Sequence, residues 1–444
     1  MKRKMLLILI SIGCLIVLLP LACAKPTPPA PKEIVVGMDV ELTGPFAGFG
    51  EGSQWGVKAA VDDINKLGGV YVKEYDKKLP IRLVIVNNES DPTKAGALAE
   101  DLILHDKVQF IVNGMDVPHM RAPIAIVLER HKVPQVTGNG PFESWMGLRT
   151  SVEKPWQYTW SCSFAIATPA KPGDFRYGKP GYTMMDSWTT ALKEIAPLTN
   201  KKVAALASDE PDGRGWYKAF SPVLKDMGWD VYRVGEEFGL VPEDTKDFTS
   251  LITAWKANDC ETLWSNSPAP FFGAFWRQAH TLGYQPKMVY ATRSGLFFTD
   301  IQAWGGDLPN AVCNEMFWNP SIQGVKGFGD TTPMSLHERW IADTGQPMHQ
   351  NIGMGYQAVQ VLVDAIERAG TLDSTKVNDA LRETDLMTIY HRVVFDEDNY
   401  SRDPVSFGQW VKTDKPWVWE NPVVISQHDF LPATAKLIFP IPYK

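Results

Sequence analysis

From Glu33 onward the chain alternates short apolar runs with longer stretches of helical period, in two successive series. In the first, 34-IVVGM-38 reads as a buried strand. It is followed by the loop 41-ELTGPFAGFGEG-52 and by a helix carrying Val57, Ala60, Val61, Ile64 and Leu67, stopped by Gly68-Gly69. Strand 81-IRLVIV-86 comes next, then Asp91 as the cap of a helix with Pro92 at its first position and Ala95, Leu98 and Leu102 on its inner face. A strand over 108–112, a helix through Ile124 and Val127 and a strand over 133–137 complete the series. The second series opens at 203-VAALAS-208. It runs through a helix from Gly213 to Met227, strand 229–234, a helix from Phe248 to Ala257, strand 262–265, a helix from Phe271 to Leu282 and strands at 288–291 and 311–317. Strand and helix alternating at this spacing build a parallel sheet with helices on both faces. The expected fold class is therefore α/β, with two doubly wound parallel-sheet lobes. About 410 residues exceed one ordinary domain, and no short repeat marks a solenoid. In open parallel sheets ligands bind beyond the C-terminal strand ends, so two facing lobes would enclose a solute between their loops.

The N-terminus speaks to location. Lys2, Arg3 and Lys4 precede an uncharged apolar run from Met5 to Leu19, then Pro20, Leu21, Ala22 and Cys23. This order marks residues 1–22 as a secretory signal peptide, and the apolar run is short for a bilayer span. Leu21-Ala22-Cys23 resembles a lipobox, which makes Cys23 the expected lipidation site. Pro20 is a poor fit to that pattern, and small-x-small cleavage at Ala22-Cys23-Ala24 remains the alternative. Residues 23–32 are proline-rich and read as an extended tether that holds the domain off a membrane surface. The expected location is the periplasm or cell surface, lipid-anchored.

Composition and motifs exclude several function classes. The whole chain has a formal charge of −7, and removing the three signal cations takes it to about −10 with no basic stripe, which argues against a nucleic-acid partner. Gly44, Gly48, Gly50 and Gly52 lie where a dinucleotide fingerprint would, but Gly48-x-Gly50-x-x reaches Ser53 rather than a glycine. They read instead as residues that let a loop turn tightly and a ligand approach its backbone. There is no G-x-x-x-x-G-K-[ST], H-E-x-x-H or G-x-S-x-G, so no cofactor, metal or catalytic group is expected and the protein reads as a non-enzyme. Cys162, Cys260 and Cys313 allow one disulfide at most among themselves and contain no metal-type spacing. The sixteen tryptophans read as packing residues or stacking platforms.

Several runs then carry a family likeness. The segments 35-VVGMDVELTGPFAGFGEGSQWGVKAAVDDINKLGGV-70, 88-NESDPTKAGALAEDLI-103, Asp247-Phe248-Thr249 and 356-YQAVQVLVDAIERAG-370, with Ala380-Leu381 after it, resemble the type I periplasmic binding proteins of the branched-chain amino acid group. The likeness implies three crossings between lobes, near Trp156 to Phe164, at Trp318-Asn319-Pro320 and near Tyr390. One lobe would be 33–155 plus 318–389 and the other 156–317 plus 390–444. It also implies closure over a ligand and a monomer that hands its solute to ABC permease subunits.

Strand ends, sharpened by the resemblance, nominate Thr43, Phe46, Phe49, Met115, Asp116, Thr137 and Asn139 on the first lobe as ligand-binding residues. On the second they nominate Asp209, Asp212, Ser267 and Arg293, with Trp160 as an aromatic wall. Thr43, Asp209 and Asp212 serve equally well as helix caps. Amino-acid-binding relatives place an acidic residue for the ammonium where Arg293 stands here. A guanidinium suits a carboxylate instead, which points to an organic acid or an aromatic carboxylate; the alternative is that Arg293 points to solvent or pairs with a nearby acid. The function read is an extracytoplasmic solute receptor of an ABC importer. A ligand-sensing receptor feeding a signalling partner is the alternative, less favoured because no transmembrane or kinase segment follows.

Overall fold

The computed structural model describes residues 29–443 apart from Asp116, Asn139 and Val234. The signal peptide, Cys23 and most of the tether lie outside these residues. Two sheets form the centres of two lobes. The first has six parallel strands in the order Tyr400–Arg402, Thr159–Ser163, Gln135–Gly138, Phe110–Met115, Ile34–Val40 and Ile81–Asn87. Ile34, Val36, Met38 and Val40 are fully buried, as expected of a strand covered on both faces. The second sheet runs Leu240–Val241, Lys202–Ser208, Thr262–Asn266, Met288–Thr292, Cys313–Met316, Ser406–Gln409 and Val423–Ile425, with Asp230–Val231 on Lys202–Ser208. Its last two strands are antiparallel additions.

The chain passes between the sheets after Ser163, after Met316 and between Arg402 and Ser406. At the first two passages Phe164 stacks on Phe317 with centroids 4.7 Å apart. At the third, the Asp403 amide donates to the Ser163 carbonyl at 2.6 Å. Thr159–Ser163 and Tyr400–Arg402, which the sequence reading assigns to the second lobe, pair within the first sheet, so the first and third passages lie later than expected. Strand 229–234 shrinks to Asp230–Val231 because the chain turns away at Tyr232.

The glycine-rich stretch is also read differently by the structure. It forms the first turns of the helix Ala47–Lys66, not a loop. A Cβ at Gly50 would stand 1.9 Å from the Glu41 carbonyl oxygen, one at Gly52 2.1 Å from the His349 ring, and one at Gly56 2.1 Å from the Ile352 carbonyl oxygen. Gly56 therefore lets this helix lie backbone-close against the helix Asn351–Ala369, while Gly50 and Gly52 make room for the Glu41 carbonyl and His349. Cys162, Cys260 and Cys313 are separate buried thiols. Fourteen of the sixteen tryptophans are buried, so most serve packing.

Candidate ligand cleft between the lobes

Arg293 follows the C-terminal end of Met288–Thr292, at the mouth of the second sheet. Its φ of 66° is left-handed, a strained conformation for a side chain of this size. The backbone is pinned there by Glu315 on the neighbouring strand, whose carboxylate accepts from the Arg293 amide at 3.0 Å. The guanidinium Nη1 donates to Glu210 Oε1 at 2.6 Å and lies 3.1 Å from Asp212 Oδ2. Glu210 is itself the cap of the helix Pro211–Asp226, accepting from the amides of Asp212 and Gly213 at 2.9 and 3.0 Å. Arg293 Nε is buried with no acceptor among the described residues. A charged N–H left in that condition is costly and gains strongly from an incoming anion.

Two carboxyls thus face the guanidinium, and a third holds the Arg293 backbone. For Asp212, burial outweighs the attraction of Arg293 and the repulsion of Glu210 adds to it, pushing it up to about 6. Burial likewise lifts Glu315 to about 7. Glu210 moves the other way, because the adjacent Arg293 charge and the hydrogen bonds it accepts overcome its burial.

The first lobe supplies an apolar lid. Phe46 caps and Phe49 opens the helix Ala47–Lys66, and the Arg293 guanidinium lies 5.9 Å from the Phe46 ring centroid. Phe49 packs edge-on to Phe297 of the second lobe at 4.9 Å, and Phe297 stacks on His349 at 4.5 Å, so the lobes touch. Between them are two adjoining cavities of about 20 Å³, one walled by Phe49, Met115, Leu296 and Phe317, the other by Met184, Trp216 and Asn266. Both are lined by Phe164, Asp212, Arg293 and Glu315. Each holds little more than a water, so admission of a solute requires the lobes to part.

Of the residues nominated from sequence, Phe49, Met115, Asp212 and Arg293 line these cavities, and Phe46 lies over Arg293. The others are placed elsewhere. Thr43 is exposed and bonded to Asn87. Thr137 is buried within the first sheet, its hydroxyl turned to the carbonyls of Gly114 and Gly138. Trp160 is a core residue whose indole donates to Asn378 at 2.8 Å, because mid-strand alternation points it at a covering helix and away from the strand ends. Asp209 pairs with Arg214 outside the cavities, and Ser267 is buried against Ser265. Asp116 and Asn139 fall outside the described residues. Glu210, Glu315 and the Phe164–Phe317 stack were missed, although Glu315 follows the same strand-end rule that found Arg293. Among the described residues no group of three or more His, Cys, Asp or Glu side chains is placed to hold a metal ion, and no helix is long and apolar enough to cross a membrane.

Residues 33–415 match the family described as periplasmic binding protein. A Leu/Ile/Val-binding protein homolog of Brucella melitensis biotype 1 is 27% identical over 79% of this chain and 83% of its own length. The crystal structure of a leucine-binding protein, LivK, from Thermotoga maritima superposes with a TM-score of 0.68 at 19% identity, covering 88% of this chain and 99% of that one. A solute-binding protein of an ABC transporter from Rhodopseudomonas palustris BisB5, in complex with 3,4-dihydroxybenzoic acid, superposes with a TM-score of 0.65 at 18% identity, covering 91% and 99%.

Proposed function

The chain belongs to the periplasmic binding protein family, and we propose that it is the extracytoplasmic receptor of an ABC importer, capturing a small organic carboxylate with an apolar or aromatic body. The observation that carries the ligand class is Arg293, buried at the cleft with Nη1 committed to Glu210 and Asp212 and Nε still without an acceptor. A carboxylate oxygen on Nε would complete the fork. Phe49, Phe164, Leu296 and Phe317 offer the apolar body its surroundings. An aromatic acid is the ligand of the Rhodopseudomonas neighbour, which makes the class compatible with this fold. Arg293 is paired with nearby acids, the alternative raised from the sequence against carboxylate binding, but the pairing occupies a single nitrogen and leaves Nε for an anion.

Capture follows from lobe closure. The solute meets the second lobe at Arg293, and the Phe46–Phe49 segment folds over it from the first. A lipid anchor at Cys23 and the proline-rich tether would keep this monomer beside its permease. The test is a thermal-shift screen of residues 33–444 against amino acids, amino-free carboxylates, amides and sugars. A ligand at a hundredfold excess over Kd should add about 2.7 kcal/mol. Stabilisation by amino-free carboxylates supports this reading; stabilisation by leucine or valine alone overturns the ligand class.

A further inference from the structure

The second lobe carries a larger concavity on a face that the cleft does not use. It lies between the helix Ala269–Thr281, the turn from Trp304 to Asn310 and the chain end at 441–443, with a volume of about 550 Å³. That is within the range of small-molecule sites. Its floor is Trp276 and Trp304, each 2% exposed, and Tyr443 stands among its walls. The chain end is held in place, the Tyr443 hydroxyl donating to the Pro286 carbonyl at 2.7 Å and the Ile441 amide to Lys287 at 2.9 Å. Two donors converge at Gly273. From the point where a Cβ would stand there, the Trp304 indole nitrogen is 3.3 Å away and Arg277 Nη1 3.5 Å away. The Trp304 N–H is buried with no acceptor among the described residues. Arg277 donates to the Ala303 carbonyl at 3.2 Å and has no carboxylate at ion-pair distance among the described residues. Exposed Lys412 adds positive character, partly offset by Asp307 at 2.6 Å. On a chain of formal charge −7 this is a local reversal of sign combined with aromatic surface.

We propose that this concavity is a second small-molecule site, taking an aromatic anion whose ring lies against Tyr443 and the edges of Trp276 and Trp304 that line it, and whose charged group meets Arg277 and the Trp304 N–H. Aromatic surface with cationic donors selects such a ligand over a neutral or cationic ring. The site is independent of the cleft, and Arg293 has no part in it.

The probe is 5-fluoroindole-3-acetate, followed by fluorine NMR on the mature chain and on its Arg293→Lys variant, in which the cleft is impaired. Saturable binding in both is expected, weakened at least tenfold by Arg277→Gln and by Tyr443→Ser, with 5-fluorotryptamine binding at least tenfold more weakly. Arg277 is exposed, so its variant should fold, and the unfolding midpoints of both variants check that loss of binding is not loss of structure. Absence of saturable binding in the Arg293→Lys background, or affinity unchanged by both substitutions, overturns the second site and leaves the cleft assignment untouched.

Discussion

Glu210 holds together two things that lie 83 residues apart in sequence, the start of the helix Pro211–Asp226 and the charge of Arg293. Replacing it with alanine removes a cap and part of a buried ion pair, for an expected loss of about 2–3 kcal/mol. Glu210→Gln keeps an acceptor for the Asp212 and Gly213 amides and should lose less, both losses being read from urea unfolding. Equal losses would mean that the charge, not the cap, carries the whole effect. Sequence reasoning reached Asp209 and Asp212 on either side because Asp is a common cap and Glu is not. Only the fold, which brings Arg293 alongside, distinguishes the middle residue from its neighbours. Arg293 itself was legible as a charged residue at a strand end, but its pairing was not, since its partners come from other strands and helices.

At the scale of elements, periodicity was enough to find most strands and helices of both sheets, because burial on both faces leaves continuous apolar runs and one-face burial leaves helical ones. The start of the helix Ala47–Lys66 was not legible. Glycines at 48, 50 and 52 argue for a loop locally, and what overrides them is close tertiary packing, against Phe297 and Asp300, the Glu41 carbonyl and His349 respectively, invisible along the sequence. The contrast between two helical glycines tests this. Gly56→Ala forces a Cβ onto the Ile352 carbonyl and should destabilise by about 1–3 kcal/mol. Gly147→Ala, in the helix Phe142–Arg149 with open space around it, should stabilise by roughly 0.4–1 kcal/mol. Chemical denaturation of the two variants measures both, and a neutral Gly56→Ala would contradict the close-packing account.

Across the whole molecule the lobes meet through Phe49, Phe297 and His349, and beside them Asp300 of the second lobe comes near Gly48 and Glu51 of the first. Burial, with the like charge of Glu51 second, lifts Asp300 to about 7. Burial also lifts Asp39 and Glu41 to about 7, against the charge of Arg121. In each case the folded carboxyl keeps its proton to a higher pH than the unfolded one, so stability falls as pH rises from about 4 through about 7. Asp63 works in the opposite sense, since hydrogen bonds from Arg339, Thr331 and Tyr356 prevail over burial and hold it low. Its contribution is withdrawn only as pH drops below the usual carboxylate range. Burial holds His119, His337 and His349 below their ordinary value, and these add stability as pH rises towards 6.5. The carboxyl effect is therefore read by difference: Asp300→Asn should gain in melting temperature relative to the unchanged protein between pH 5.5 and pH 8, and a gap that stays constant over that range would contradict the burial of Asp300. The two-lobed plan was legible because the alternation restarts. The exact passages between lobes were not, because a strand that crosses looks the same in sequence whichever sheet it joins.

A carboxylate received by Arg293 in the cleft must register in proton linkage. A carboxylate placed beside Asp212 and Glu315 raises both further and draws protons in, whereas an ammonium lowers them and releases protons. Calorimetric titration of the mature chain at pH 6.5, in buffers of different ionisation enthalpy, should show an amino-free carboxylate from the screen binding with net proton uptake. In Arg293→Lys, which keeps the charge but loses the fork, that binding should weaken at least tenfold. Binding of leucine with proton release, undiminished in Arg293→Lys, would contradict carboxylate binding at Arg293.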